Sequence, residues 1–231
     1  SPTATHVDDS RKVYFVAVND NYEPALGDAL ITILPREITL TGASQSETYN
    51  GSALTNTTVT VGGDNFLSGE GYSILPTATG TITDAGSVAN PVSGGTLNGS
   101  TQANDYAITS TPGTLTVNPA TLTVQANDQQ IAFPAGRPAT GTLTYTLVGG
   151  NVSGETPAFG GVLGYDENLA SDPLNPDTYT DAIVGGTLAL ANSGAFKADN
   201  YALTVLPGDL EVTNGKFTVV LTGGDWTYDG D

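Results

Sequence analysis

Five acidic side chains crowd one stretch of this chain: Asp166, Glu167, Asp172, Asp177 and Asp181 fall within 16 residues. Calcium takes about six to eight oxygen ligands and accepts loop carboxylates, so the chemistry this cluster offers is calcium binding. Its spacing follows neither the EF-hand pattern nor a Gly/Asp nonapeptide repeat, and a solvated loop is the simpler reading. Little else suits catalysis. His6 is the only histidine and there is no cysteine, which leaves nucleophile–base pairs a single candidate base. The 24 acidic residues hold no pair that spacing singles out for glycoside hydrolysis, since such a pair is defined in space. No enzymatic activity is expected, and no cofactor besides that calcium. Four Asn-x-Ser/Thr sequons, at Asn50, Asn56, Asn98 and Asn151, occur at about the frequency chance supplies.

Six Lys plus Arg stand against 24 Asp plus Glu, a formal charge of −18. Nucleic acid needs a basic stripe to neutralise phosphate, and an anionic membrane surface needs the same. Both partners are excluded on this ground. The acidity suits solubility. No run of about 18 apolar residues exists, so no membrane insertion by a helix is expected. The absence of Cys leaves the chain tolerant of any redox compartment, and the absence of Met suits a long-lived extracellular or cell-surface protein.

What must position any site is a repeat. Ile38-x-Leu40 leads to Tyr49-Asn50-Gly51, Leu122-x-Val124 to Phe133-Pro134-Ala135-Gly136, and Phe217-x-Val219 to Tyr228-Asp229-Gly230, each apolar residue preceding its aromatic by 11 residues. Three segments also close alike: Asn21-Tyr22 to Leu30-Ile31-Thr32-Ile33, Asp105-Tyr106 to Gly113-Thr114-Leu115-Thr116-Val117, and Asn200-Tyr201 to Gly208-Asp209-Leu210-Glu211-Val212. A period of roughly 80–100 residues means an array of small domains. The expected organisation is residues 1–36 as the later part of one module, 37–119 and 120–214 as whole modules, and 215–231 as the opening of another. Residues 37–119 contain no lysine, which excludes an intramolecular Lys–Asn isopeptide bond there.

Apolar residues alternate with threonine in Thr114–Val117, Thr121–Val124 and Thr142–Leu147, the pattern of half-buried antiparallel strands. Val13–Val18 and Phe217–Leu221 are continuous apolar runs and read as strands buried on both faces. Turn formers separate them, and 29 Gly with 13 Pro leave no room for a substantial helix. The predicted fold is all-β: small antiparallel domains, sandwich-like or β-grasp-like, arranged end to end, with each opening strand in the same sheet as its closing strand. Proline in the short connectors, Pro35 and Pro119, stiffens two of the junctions.

The first whole module, with Ile38-Thr39-Leu40-Thr41, Tyr49-Asn50-Gly51, Thr81–Ser87, Asp105-Tyr106 and Gly113–Val117, is similar to the YDG-type repeat of large bacterial surface proteins, with Asn50 in place of Asp. The second, with Leu122-Thr123-Val124, Pro176–Tyr179 and Asp199-Asn200-Tyr201, resembles the MBG type and departs from it at Phe133–Gly136. The resemblance implies extracellular, non-enzymatic modules in tandem. The expected function is a structural stalk of a surface adhesin or filament, whose partners are neighbouring modules or identical subunits. The alternative is a binding module for host carbohydrate, mucin or a surface protein.

Two sets of residues follow. Tyr49, Gly51, Tyr106, Phe133, Tyr201, Tyr228 and Gly230 are expected to be core aromatics and turn glycines. Phe217, Val219, Leu221 and Trp226 at one end, with Tyr14, Val16, Ile31 and Ile33 at the other, are candidates for head-to-tail contact between subunits. The competing expectation is that both ends pack on their own neighbouring modules.

Overall fold

The computed structural model describes residues 3–152, 154–220 and 223–224. It is all-β, and its helical elements are three-residue 3-10 turns. Among the described residues no helix is long and apolar enough to cross a membrane. The chain divides into two compact units, 1–119 and 120–231.

The first unit contains β1 (Arg11–Asn19), β2 (Tyr22–Ile31), β3 (Arg36–Gly42), β4 (Gln45–Thr48), β5 (Val59–Gly63), β6 (Gly86–Asn90), β7 (Tyr106–Thr111) and β8 (Gly113–Asn118). One sheet has the order β5–β3–β7 and a second β6–β8–β4. The second unit contains β9 (Ala120–Ala126), β10 (Gln129–Ala132), β11 (Tyr145–Gly149), β12 (Gly164–Tyr165), β13 (Asp177–Val184), β14 (Tyr201–Leu206) and β15 (Gly208–Thr213). Its sheets run β11–β9–β14 and β10–β15–β13–β12. In both units the opening strand, β3 or β9, lies between an antiparallel neighbour and the strand that begins at the closing tyrosine. The closing strand at the module boundary, β8 or β15, lies in the other sheet, which corrects the expectation that opening and closing strands share one.

Alternation places the cores. Ile38 and Leu40 of β3, Leu115 and Val117 of β8, Leu122, Val124 and Ala126 of β9, and Leu210 and Val212 of β15 are buried, with threonines and acids between them facing outward. Full burial of each large aliphatic side chain stabilises by about 1.5–3 kcal/mol. In the first unit Ile38, Leu40 and Tyr106 gather Val59, Phe66, Tyr72, Val92 and Ile108 around them. In the second, Leu143, Leu163 and Ile183 form one cluster and Leu174, Ala182, Leu210 and Val212 another.

The pairing is mixed, which corrects the expected antiparallel build. β3 and β7 are parallel from Arg36 opposite Tyr106 to Thr41 opposite Thr111, and β4 and β8 are parallel from Gln45 opposite Leu115 to Thr48 opposite Asn118. β9 and β14, then β10 and β15, repeat this from Ala120 opposite Tyr201 to Ala132 opposite Thr213. Parallel neighbours need a long crossover, and here the body of each unit supplies it. The opening and closing segments thus form one two-stranded ribbon that passes from the first sheet into the second. It crosses at Pro112-Gly113 and Pro207-Gly208. A Cβ on Gly113 would overlap the carbonyl oxygens of Gly42 and Ala43, and one on Gly208 would lie 2.7 Å from that of Ala126, so glycine is required by close backbone approach.

Residues Tyr22–Ile31 depart from this plan. At the positions matching Pro-Gly the sequence reads Asp28-Ala29, and β2 continues straight for ten residues, paired antiparallel with β1 from Arg11 opposite Ile31 to Asn19 opposite Tyr22. The expected double-sided burial of Val13–Val18 is corrected: Tyr14 is 78% exposed, and Phe15, Val16 and Val18 are exposed with it. Among the described residues β1 pairs only with β2, and a two-stranded ribbon has no second layer to cover its faces. Residues Lys216–Val220 form no strand and are exposed, Phe217 at 90%, a second correction of the same kind. Leu221, Trp226, Tyr228 and Gly230 lie outside the described residues.

Candidate functional site

The polar constellation that recurs in both units is built on the closing tyrosines. Tyr106 and Tyr201 begin β7 and β14, are buried, and pack on Phe66 at 4.7 Å and Phe196 at 4.9 Å between ring centroids. The Tyr106 hydroxyl accepts a hydrogen bond from the Leu67 N–H at 3.1 Å and donates to the Glu70 carboxylate. The Tyr201 hydroxyl accepts from the Val152 N–H at 3.0 Å and donates to Glu155 at 2.8 Å. Burial first, and the adjacent carboxylate with it, hold both phenols above their ordinary pKa. The sequence signal is a repeated apolar-Ser-Gly-Glu string, Leu67-Ser68-Gly69-Glu70 and Val152-Ser153-Gly154-Glu155, which lies between the repeated opening and closing segments and outside both. In each unit it ties the crossover to the ribbon.

A second buried polar group does similar work. Asn90, fully buried at the end of β6, accepts from the Gly80 N–H at 2.7 Å and donates to the carbonyls of Ala43 at 2.9 Å and Asn56 at 2.8 Å. It thereby holds three loops at the point where the opening strand changes sheet. Nothing in the sequence marks it apart from the other asparagines.

The lone histidine has a structural partner. His6 Nδ1 lies 2.5 Å from Asp105 Oδ2, the Val7 N–H donates to Asp105 Oδ1 at 2.7 Å, and the Asn104 amide donates to both Asp8 carboxylate oxygens at 3.1 Å. The His6 pKa is raised, chiefly by this hydrogen bond, and that of Asp105 is lowered by His6 and by the Val7 N–H. A His–Asp pair can orient a catalytic base. Here it fastens the turn Val7–Asp9 against Ala103–Asp105, beside a small cleft lined by His6, Ile33, Leu67, Glu70 and Tyr106.

The acidic loop does not converge. Among the described residues no three His, Cys, Asp or Glu side chains gather as metal ligands. Asp166 accepts from the Asn168 N–H at 2.8 Å, Asp177 from the Thr178 N–H at 2.8 Å, and Glu167 and Asp181 are exposed. Asp172 instead meets Arg137, Nε to Oδ2 at 3.1 Å, while the guanidinium donates to the Ala170 carbonyl at 2.7 Å and stacks 5.3 Å from the Tyr165 ring centre. Among the described residues the five acids therefore do not gather as a calcium site requires: Arg137 holds Asp172, and Asp166 and Asp177 bond neighbouring backbone N–H groups.

Of the expected core and turn residues, Tyr49, Tyr106 and Tyr201 are buried, and Gly51 adopts φ +79°, the left-handed turn that Asn50-Gly51 suits. Phe133 is corrected to a surface position at 37% exposure. Its N–H bonds the Thr213 carbonyl as that of Tyr49 bonds Asn118, so the backbone position is kept. Pro134 and a tight turn closed by the Ala135 N–H on Ala132 put Phe133 at the turn's corner, where side chains point outward. Among the expected contact residues, Tyr14, Val16, Phe217 and Val219 are exposed, while Ile31 and Ile33 are half-buried. No protein-family model, no curated protein and no solved structure matches this chain.

Proposed function

We propose that this chain is a non-enzymatic, load-bearing repeat: a stalk section of the YDG/MBG kind, from an adhesin or filament outside the cell. The observation that carries the reading is the parallel pairing of first and last strands. In the first unit the chain enters at Arg36 beside Tyr106 and leaves at Asn118 beside Thr48; in the second it enters at Ala120 beside Tyr201 and leaves at Thr213 beside Ala132. Tension on the two ends of a unit pulls these parallel strands past each other, so their hydrogen bonds are loaded together in shear. An antiparallel pairing of the same strands would open one bond at a time. The direct step from Pro119 to Ala120 hands the load covalently from one ribbon to the next.

Pulling single molecules by their termini tests this. Two separate unfolding events at high force are expected, each lengthening the chain by roughly 250–300 Å at about 3.5 Å per residue. Extension at low force with no distinct events would reject the load-bearing role. A glycan and mucin binding screen on the same chain is expected to be silent; specific binding would favour the adhesive alternative.

A further inference from the structure

We infer that the turn Asn50-Gly51-Ser52 is a self-modification site, where the Asn50 amide is converted to an aspartyl or isoaspartyl residue with water as the co-reactant. The inference stands on the geometry of this turn and is independent of the load-bearing reading.

The chain supplies its own comparison. Asn50-Gly51-Ser52 and Asn98-Gly99-Ser100 are the same tripeptide in the same unit. A glycine after asparagine carries no side chain to keep its backbone nitrogen from the asparagine Cγ. The two sites therefore share one intrinsic reactivity, and the fold decides between them. Asn50, Gly51 and Ser52 are exposed, just beyond the end of β4. The Asn50 Oδ1 accepts from the Ser52 N–H at 2.8 Å, and among the described residues no other bond holds its amide. Asn98 is half-buried and tied down. Its Nδ2 donates to the Gly69 carbonyl at 3.1 Å, and its Oδ1 accepts from the Ser100 and Thr101 hydroxyls at 2.8 and 2.6 Å. Turning that amide toward the Gly99 nitrogen breaks these bonds.

The step balances without oxidant or reductant. Hydroxide takes the Gly51 N–H proton, and the nitrogen attacks Asn50 Cγ. Negative charge gathers on Oδ1, where the Ser52 N–H already stands at hydrogen-bond distance and stabilises it. The Cγ–Nδ2 bond breaks, and Nδ2 takes a proton from water, leaves as ammonia and returns hydroxide. A cyclic succinimide remains. Water opens one or the other of its carbonyls, giving aspartate or an isoaspartyl link that carries the main chain through the side chain. In sum, water is consumed and ammonia released.

The product lies beside the ribbon. Tyr49 is buried, and its N–H bonds the Asn118 carbonyl at 2.8 Å. An isoaspartyl link lengthens the backbone directly after that residue, and either product adds negative charge to a chain already at −18. The matching turn of the second unit reads Phe133-Pro134-Ala135 and has no amide side chain to react. Ageing thus marks this turn in one unit and has no counterpart at the matching turn of the other.

Peptide mapping by mass spectrometry tests this on folded protein held at mildly alkaline pH, with enzymatic methylation of isoaspartyl carboxylates separating the two products. An Asn214→Gln background, at an exposed position, removes the third Asn-Gly pair. Asn50 is expected to convert at least about tenfold faster than Asn98, the order of factor that releasing one or two hydrogen bonds carries. In guanidinium chloride, which unfolds both turns, the two rates should agree to within about twofold. Equal rates in the folded chain, faster conversion at Asn98, or an Asn50 that stays intact until the chain is unfolded would each overturn the inference. So would a tenfold preference that survives unfolding, since the fold would then not be its cause.

Discussion

The Tyr201 hydroxyl donates to the Glu155 carboxylate at 2.8 Å while accepting from the Val152 N–H at 3.0 Å, and Tyr106 makes the same two bonds to Glu70 and Leu67. One oxygen thus satisfies a loop donor and a loop acceptor at once, in a partly buried place. Tyr106→Phe and Tyr201→Phe keep the ring packing and remove only this oxygen. Each is expected to cost about 1–3 kcal/mol, read from denaturant unfolding, with a Tyr106→Ala variant costing about 3 kcal/mol or more through the lost ring. A Phe variant as stable as the parent would mean the loops find other partners.

Asn90 makes three hydrogen bonds with no exposed surface. Asn90→Leu leaves the Gly80 N–H and two carbonyls without partners in a site that excludes water. The expected loss is about 3 kcal/mol or more, seen as a lower midpoint for the first unit. Amide exchange should rise most at Ala43, Asn56 and Gly80.

The His6–Asp105 tie carries a pH signature. His6 has a folded pKa above 6.5, so its contribution is complete below 6.5 and is lost as pH rises through the raised value. Asp105 and Asp9 have folded pKa values below 3.8, so theirs is present above 3.8 and is lost as pH falls through the lowered values. Asp9 and Glu70 also face the imidazole and favour its charged form. The turn Val7–Asp9 should therefore be held best between these limits. Amide resonances of residues 5–9 and 103–105 should shift together above the histidine pKa, and His6→Gln should abolish that shift.

Arg137 bridges Asp172, Ala170 and Tyr165. Arg137→Ala should lower stability by about 1 kcal/mol and loosen residues 166–176, as expected of a partly exposed ion pair with a stacked guanidinium. Removing calcium with a chelator should leave the melting curve of the parent chain unchanged. A chelator-sensitive midpoint would show that the acids hold a cation after all.

Much of the architecture is legible in the residues themselves. Apolar–threonine alternation marks β3, β8 and β9, and alternation with Asp209 and Glu211 marks β15, because a strand's side chains alternate between its two faces, and the buried positions are the ones alternation selects. The run Thr142–Leu147 shows the limit of that signal: its first residue closes a 3-10 turn, Thr140–Thr142, and the strand begins only at Tyr145. Alternation reports which side chains are apolar and leaves open whether a second layer exists to cover them. That is why Val13–Val18 reads as interior yet lies exposed on a two-stranded ribbon.

By itself, then, the sequence determined an all-β chain, its internal repeat, the buried positions of the alternating strands and of Tyr49, Tyr106 and Tyr201, though not that of Phe133, and the glycine turn at Gly51. Tertiary structure alone decided the rest. Period-two alternation is the same for parallel and antiparallel neighbours, so only the long crossovers of each module could set β3 beside β7 and β9 beside β14. Which polar side chains meet is likewise a matter of register between segments tens of residues apart. That register brings Tyr106 to Glu70, Asn90 to Ala43 and Arg137 to Asp172, and it scatters the five acids whose closeness along the chain suggested a metal.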